Sequence, residues 1–397
     1  MPSTVKGDVN LSFDNTEIAF AGKSDTDLNR AYLLFKLIGS NSLVKLSKPF
    51  ANLAIDLHIP VGFVVKPTIF KQFCGGEDIE ECEKAIRYLN NYGVGTILDY
   101  SVEGKGTEKS FDHTRDEILA CIAKSKEDER IPFAVFKVTG IAPFEILEKV
   151  STNTPLTTDE ETLWQNAKQR VATICQAAED AGTAVLFDAE ESWIQPAVDS
   201  LCYTEMEKHN QSFPIVYNTI QLYLHKRYAD MVDAHKIAKQ KGYLPAFKLV
   251  RGAYMEKERD RAEKMGYPSP VQPNKAATDV DYNKALEYCV QHIETIGLVA
   301  GTHNEESSMN LVKLMEGKGL PNNHGHIYFS QLLGMSDHIS FNLSNAGYNV
   351  AKYVPYGPVR EVIPYLLRRA EENTSAAGQT PRELALIMQE RKRRKSL

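Results

Sequence analysis

Short apolar runs recur along this chain, and charged helical stretches separate them. Eight of the runs are rich in β-branched residues and have the length of buried strands. They cover residues 96–100, 132–138, 184–187, 214–219, 246–250, 297–301, 327–332 and 349–354. The clearest helical patterns cover residues 78–91, 161–181, 221–241, 281–295 and 305–317. Eight strands alternating with helices over about 280 residues are typical of a (β/α)₈ barrel.

The same alternation also occurs in a doubly wound open sheet, which is the second interpretation. No GxGxxG motif follows any of the runs, so the sequence does not support a Rossmann dinucleotide site. We divide the chain into an N-terminal arm with helices (1–69), the barrel (70–375) and a C-terminal helix with a basic tail (376–397). The polar residues 1–25 predict a loose arm, residues 27–57 predict a helix, and residues 61–68 predict a strand or a connector.

Composition and charge exclude several classes of protein. A net charge of −6 and a pI near 6.0 argue against a general nucleic-acid binder. The six cysteines are scattered without CxxC spacing, which indicates reduced thiols and no zinc site. There is no secretory signal and no apolar run of the roughly 18 residues that a membrane span needs. We therefore expect a cytoplasmic protein that binds no nucleic acid and no metal.

Polar side chains stand at the ends of seven successive runs. In a barrel these ends meet on one face, where catalysis takes place. The residues in question are Lys137, Asp188, Gln221, Lys248, His303, Gln331 and Tyr353. The sequence therefore predicts a polar site at this face, which we call the barrel mouth.

Lys137 and His303 allow sharper hypotheses. A lysine in an apolar strand is expensive to bury unless its charge is paired or used. Lys137 could form a Schiff base in an aldolase-type lyase, bind an anion, or simply extend its charge to solvent. His303 could be an acid–base group, a metal ligand or a flavin contact. No second histidine or carboxylate stands at a ligand spacing around it, so we discount the metal.

A helical stripe follows the eighth run. Tyr365, Arg368, Arg369 and Glu372 are spaced at i, i+3, i+4 and i+7 and so share one helix face. The face could be an ordinary solvated one. Guanidinium groups also bind carboxylates in bidentate fashion, and barrels often bind anions after strands seven and eight. The residues alone thus predict an anionic small molecule in the barrel mouth and leave the reaction open.

Four motifs stand out together: Lys-Leu-Val-Arg-Gly-Ala-Tyr at 248–254, Asp-Ala-Glu at 188–190, Thr-His-Asn at 302–304 and Tyr-Leu-Leu-Arg-Arg-Ala-Glu-Glu-Asn at 365–373. In this order they resemble the proline dehydrogenase family of FAD-dependent (β/α)₈ flavoenzymes. The resemblance covers about residues 70–373. It implies oxidation of L-proline to 1-pyrroline-5-carboxylate by hydride transfer to N5 of FAD, the first step of proline catabolism. The chain ends soon after the arginines, so we expect a monofunctional enzyme.

The resemblance also implies roles for individual residues. The expected catalytic residues are Lys137, Arg368, Arg369 and Tyr353, the first three as a clamp on the proline carboxylate. The expected contacts of the proline ring are Leu249, Tyr254, Tyr353 and Tyr365. The expected FAD contacts are Asp188, Gln221, Lys248, Val250, Gly252, Ala253, Lys275, Thr302, His303 and Asn304. The chain departs from many bacterial members, which have Arg at Lys248, and from some that have Trp at Met255.

The resemblance and the sequence also predict the substrate preference, the electron acceptor and the role of the C-terminus. Tyr353 would fill the space beside the ring carbon that carries the hydroxyl of 4-hydroxyproline, so we expect proline to be preferred. A hydroxyproline dehydrogenase and the Schiff-base lyase are the alternatives. The expected electron acceptor is a quinone. The basic block at 391–395 is either solvated and disordered or a weak peripheral anchor at the inner face of an anionic membrane.

Overall fold

Eight parallel strands close into a barrel in chain order. The computed structural model describes residues 11–38, 65–102, 106–375 and 379–396, with the side chains of 370–379 excepted. The strands are β1 (Val94–Tyr100), β2 (Phe133–Lys137), β3 (Ala184–Asp188), β4 (Val216–Gln221), β5 (Ala246–Val250), β6 (Gly297–Gly301), β7 (Ile327–Leu332) and β8 (Val350–Tyr356). Each predicted run coincides with a strand. Because β8 pairs with β1, the open-sheet interpretation is wrong and the (β/α)₈ barrel is confirmed.

Helices precede, connect and follow the strands. They are α1 (Thr16–Ala19), α2 (Asp25–Ile38), α3 (Glu83–Asn90), α4 (Glu108–Lys126), α5 (Phe144–Ser151), α6 (Thr158–Ala181), α7 (Gln195–His209), α8 (Arg227–Lys241), α9 (Met255–Met265), α10 (Lys275–Gln291), α11 (Glu305–Gly317), α12 (Asp337–Asn345), α13 (Val359–Ser375) and α14 (Gln379–Lys395). All five predicted helices exist, one before β1 and four between strands, and the helix at 305–317 has the predicted bounds.

Side chains alternate between the barrel interior and the layer beneath the helices, as the two-residue period of a strand requires. Val135, Leu186 and Val299 pack with one another inside the barrel. Phe247 and Leu249 instead belong to the larger core between the strands and the helices. Lys248, which lies between them, therefore extends its side chain into the interior.

The described part of the N-terminal region is folded, which corrects the expectation of a loose arm for residues 11–25. The helix α1 packs beside α12, and Phe20, Leu28 and Phe35 form a core with Leu386 and Ile387 of α14. A helical turn occupies Lys66–Phe70, so the run at 61–68 is not a strand where it is described. The rest of that run, and most of the helix predicted at 27–57, lie outside the described residues.

The basic block at the C-terminus is also folded and is not a solvated, disordered tail. It forms the last turns of α14. Arg394 donates hydrogen bonds to the carbonyls of Lys23 (2.7 Å) and Phe20 (2.9 Å). The guanidinium of Arg391 lies 4.3 Å from the centre of the Tyr32 ring. These contacts fix the end of the chain against the N-terminal helices.

Candidate active site

A triad of polar side chains crosses the barrel mouth. Lys248 on β5 forms a salt bridge with Asp188 on β3. The Lys248 ammonium also donates to the hydroxyl of Tyr353 on β8, at 2.5 Å. That hydroxyl lies 3.2 Å from Asp188 Oδ1. Inner positions on three strands thus meet in the barrel mouth.

Lys137 lies beside this triad. It ends β2, where its register partner on β3 is Asp188. Tyr254 and the carboxylates of Glu190 and Asp99 raise the pKa of Lys137 in spite of its burial. The side chain therefore remains an ammonium ion at neutral pH. It supplies a fixed positive charge at the mouth.

The arginine stripe of α13 faces the barrel mouth. Tyr365 is buried, with 7% of its surface exposed, and Arg368 and Arg369 are half-buried. Arg368 lies close enough to Lys137 for its positive charge to lower the pKa of that lysine, against the larger effects that raise it. Arg369 lies 5.3 Å from the centre of the Tyr365 ring. The stripe is therefore not an ordinary solvated face.

The ends of β4 and β6 bring further polar groups to the opposite side of the mouth. Gln221 is buried and donates to the carbonyl of Glu190 (2.6 Å). Thr302 Oγ1 accepts a hydrogen bond from Arg251 (2.8 Å). His303 Nδ1 lies 3.0 Å from Ser336 Oγ. Burial, together with neighbouring cations, lowers the pKa of His303 to about 3, so the imidazole is neutral at physiological pH.

The remaining candidate cofactor residues lie at the rim. Gly252 has a φ of 130°, and a Cβ at this position would overlap the ring of Tyr223, so only glycine fits. Ala253 is exposed and Val250 is half-buried. Lys275, also exposed, donates to Asp279 (2.6 Å).

Asn304 has a structural role in addition to its place at the rim. Its side chain accepts a hydrogen bond from the backbone of Ser307 (2.7 Å) and so caps α11. The capped helix α11 begins directly after the Thr-His-Asn motif at 302–304. Asn304 thereby fixes the backbone on which Thr302 and His303 stand.

Leu249 does not lie in the mouth, which corrects the expectation of a contact with the substrate ring. Its side chain is fully buried in the core between the strands and the helices. The carbonyl of Leu249 accepts a hydrogen bond from Tyr282 on α10 (3.5 Å). The physical reason is the two-residue period of β5, which directs Lys248 inward and its neighbour outward.

Three residues that the sequence interpretation did not assign also belong to the mouth. Leu332 packs both against the interior cluster that contains Tyr353 and against the cluster that contains Tyr365. Asp99 and Glu190 are the carboxylates that act on Lys137. The signal was present for Asp99 and Leu332, since each lies at or near the end of an apolar run, but no motif marked them.

The fold and the site define a (β/α)₈ barrel with a cationic, aromatic-lined mouth suited to a small carboxylate. A family model described as proline dehydrogenase matches residues 82–382. The chain belongs to the proline dehydrogenase family. This match confirms the resemblance that the four sequence motifs indicated.

Individual relatives agree with this membership. The chain is 32% identical to the mitochondrial proline dehydrogenase 1 of Dictyostelium discoideum over 97% of this chain and 75% of that protein. It is 30% identical to a hydroxyproline dehydrogenase of Xenopus laevis over 97% of this chain and 90% of that protein.

The fold has a counterpart among solved structures. Proline utilization A from Bdellovibrio bacteriovorus superimposes with a TM-score of 0.72 at 19% sequence identity. The superposition covers 91% of this chain but only 38% of that chain, so this chain spans a little over a third of its length. At this level of identity the likeness supports the fold alone.

Proposed function

We propose that this protein is an FAD-dependent proline dehydrogenase that oxidises L-proline to 1-pyrroline-5-carboxylate. Family membership carries the assignment, and the pairing of a cationic clamp with aromatic rings in one mouth supports it. Lys137, Arg368 and Arg369 would bind the carboxylate. Tyr254, Tyr353 and Tyr365, together with Leu332, would enclose the ring.

The strand ends on the opposite side of the mouth fit a flavin by their chemistry. Gln221 and Thr302 offer neutral polar groups, and Lys248 offers a cation. The hydroxyl of Ser330 is buried on the strand next to Gly301 and has no hydrogen-bond partner among the described residues. Buried polar groups normally have partners, so this unpaired hydroxyl would be free to bond a group bound at the strand ends. The rim residues Val250, Gly252, Ala253, Lys275 and Asn304 would hold the remainder of FAD.

The chain's own residues bind and orient the substrate. Bound FAD would supply the acceptor for the hydride of the ring carbon next to nitrogen, and loss of the nitrogen proton would leave the cyclic imine. The cationic clamp would hold the carboxylate at one end of proline, and the tyrosine rings would restrict the rotation of its ring. Burial raises the pKa of both Tyr254 and Tyr353, so both remain neutral phenols at physiological pH. Positioning of this kind lowers the entropic part of the barrier.

The Schiff-base lyase is the weaker alternative. An amine must be deprotonated to attack a carbonyl group. The surroundings of Lys137 raise its pKa and so favour the ammonium form. Lys137 is therefore better suited to binding a carboxylate than to acting as a nucleophile.

We propose a quinone as the electron acceptor and keep the cytoplasmic location as a prediction. No helix in the described ranges is long and apolar enough to cross a membrane. Weak contact with an anionic surface remains a proposal for the exposed lysines of the basic block, since Arg391 and Arg394 are engaged with the N-terminal helices. The boundaries at residues 69 and 375 are our proposed division of the chain.

A visible spectrum of the purified protein followed by addition of L-proline tests the assignment. We expect flavin absorbance bands, loss of the band near 450 nm on anaerobic addition of proline as the flavin is reduced, and reduction of an artificial dye. A lyase would instead be colourless and would be trapped by borohydride in the presence of its substrate. A protein reconstituted with FAD that does not reduce a dye with proline would overturn the proposal.

A further inference from the structure

Ser336 has an unusual backbone conformation immediately beside the cofactor side of the mouth. Its φ of 50° and ψ of 41° lie in the left-handed region, which residues other than glycine rarely occupy. Such a conformation costs free energy and persists only where the surrounding contacts hold it. Ser336 precedes α12, yet its side chain does not cap that helix. The hydroxyl lies instead 3.0 Å from Nδ1 of His303.

The C-terminal helix α14 holds Ser336 from behind. Glu383, with only 3% of its surface exposed, accepts a hydrogen bond from the backbone N–H of Ser336. The same carboxylate lies 4.0 Å from Nδ1 of His338. The left-handed residue is therefore fixed by a buried carboxyl group that comes from a different part of the chain.

A second contact joins the same helix to the other side of His303. Arg382 donates to both carboxylate oxygens of Glu305, at 2.7 and 3.0 Å. Glu305 is the first residue of α11 and stands two positions after His303. His338 Nε2 lies 3.0 Å from Glu305 Oε1. Since the other ring nitrogen of His338 faces Glu383, this imidazole links the two contacts of α14.

We propose that Glu383 and Arg382 are positioning residues for the cofactor, acting through Ser336 and Glu305 on the imidazole of His303. The C-terminal helix is then part of the FAD site although it lies outside the barrel. This inference rests on the proposed function, because it assumes that His303 contacts FAD. It goes further in assigning a role in cofactor binding to a helix that the sequence suggested as a membrane anchor.

Replacement of Ser336 by glycine separates positioning from stability. Ser336→Gly removes the hydroxyl but suits the left-handed backbone, so we expect an unchanged or higher melting temperature. Loss of one hydrogen bond to His303 should nevertheless speed the release of FAD by about three- to tenfold. The release is measured as the rise of flavin fluorescence after dilution of the holoenzyme.

Two further variants test the contact from α14. Glu383→Gln keeps an oxygen that can accept the Ser336 N–H, whereas Glu383→Leu does not. We expect FAD release close to native in Glu383→Gln and at least about threefold faster in Glu383→Leu. Both variants would also be compared by the shape of the bound-flavin absorbance bands, which report the surroundings of the ring.

Ser344→Ala, on the helix α12 that follows Ser336, is the matched control for these variants. Ser344 donates to the carbonyl of Tyr92 (2.6 Å), so the variant loses a hydrogen bond of α12 that does not involve His303. It should lower the melting temperature and leave FAD release unchanged. The inference is overturned if Ser336→Gly releases FAD at the native rate with a native flavin spectrum. A native protein that binds no FAD would instead refute the proposed function itself.

Discussion

The hydroxyl of Tyr353 lies 2.5 Å from the ammonium nitrogen of Lys248. Lys248 is in turn paired with Asp188, so three strands hold the phenol in one position across the barrel mouth. Burial is the main reason that the pKa of Tyr353 is raised, and the nearby carboxylates of Asp188 and Asp99 add to it. Tyr353 therefore presents a fixed, neutral ring to whatever binds above it.

This fixed ring predicts a preference for proline over 4-hydroxyproline. An added hydroxyl facing the ring would lose its water without gaining a partner, which costs roughly 1–3 kcal/mol. We expect kcat/KM to favour proline by at least about tenfold, and the preference to fall in Tyr353→Ser. Tyr353→Phe keeps the ring and should keep the preference. Equal kcat/KM for both substrates in the native enzyme would show that Tyr353 does not line the substrate pocket.

The two arginines of α13 should determine the affinity for substrate rather than for FAD. Loss of a charged partner of a desolvated carboxylate costs on the order of 2–5 kcal/mol. Arg368→Met and Arg369→Met should therefore raise KM for proline by more than about tenfold, while the flavin content remains near native.

Arg360 provides the control for the arginine variants, because it is exposed in the first turn of the same helix. We expect steady-state kinetics of Arg360→Met to match the native enzyme. Unchanged KM in both Arg368→Met and Arg369→Met would contradict the proposed carboxylate clamp.

His303 should make the fold less stable in acid. Its pKa is lowered from 6.5 to about 3, so the unfolded chain takes up a proton at a pH where the folded chain does not. The resulting stability is complete above pH 6.5 and is lost as the pH falls towards 3. We expect the free energy of unfolding, measured in urea, to fall less steeply with decreasing pH in His303→Gln.

The informative window for this measurement is pH 5 to 6.5. Glu305 has a pKa lowered from 4.5 to about 2, so its own contribution begins to be lost only at lower pH. An identical slope for the native protein and His303→Gln in this window would contradict the buried, neutral state of the imidazole.

The folded basic block predicts an effect on stability in place of strong membrane binding. Arg394→Ala removes hydrogen bonds to Phe20 and Lys23 and should cost about 1–3 kcal/mol of unfolding free energy. Lys392→Ala changes an exposed residue and should have an effect below about 0.5 kcal/mol. Because the proposed weak surface contact uses the exposed lysines of the block, cosedimentation with anionic vesicles should fall in Lys392→Ala and stay native in Arg394→Ala. Vesicle binding that is unchanged in Lys392→Ala would contradict the proposed surface contact.

The sequence by itself determined the secondary structure and the types of residue in the mouth. Buried parallel strands require continuous apolar runs, so all eight strands of the barrel were visible in the pattern. Their order placed the polar strand ends on one face, and the helical spacing placed Arg368 and Arg369 on one stripe. These features depend on local periodicity, which a single sequence records directly.

Only the tertiary structure decided which side chains meet and which turn away. Lys137 and Arg368 belong to elements far apart in the chain, and closure of the barrel brings them together. Leu249 shares a motif with Lys248 but points into the opposite layer. The docking of α14, which places Glu383 behind the left-handed Ser336, left no local signal. The pattern along the chain shows which face each helix or strand buries, but it does not show which other element packs against that face. Contacts between distant elements are therefore decided only by the tertiary structure.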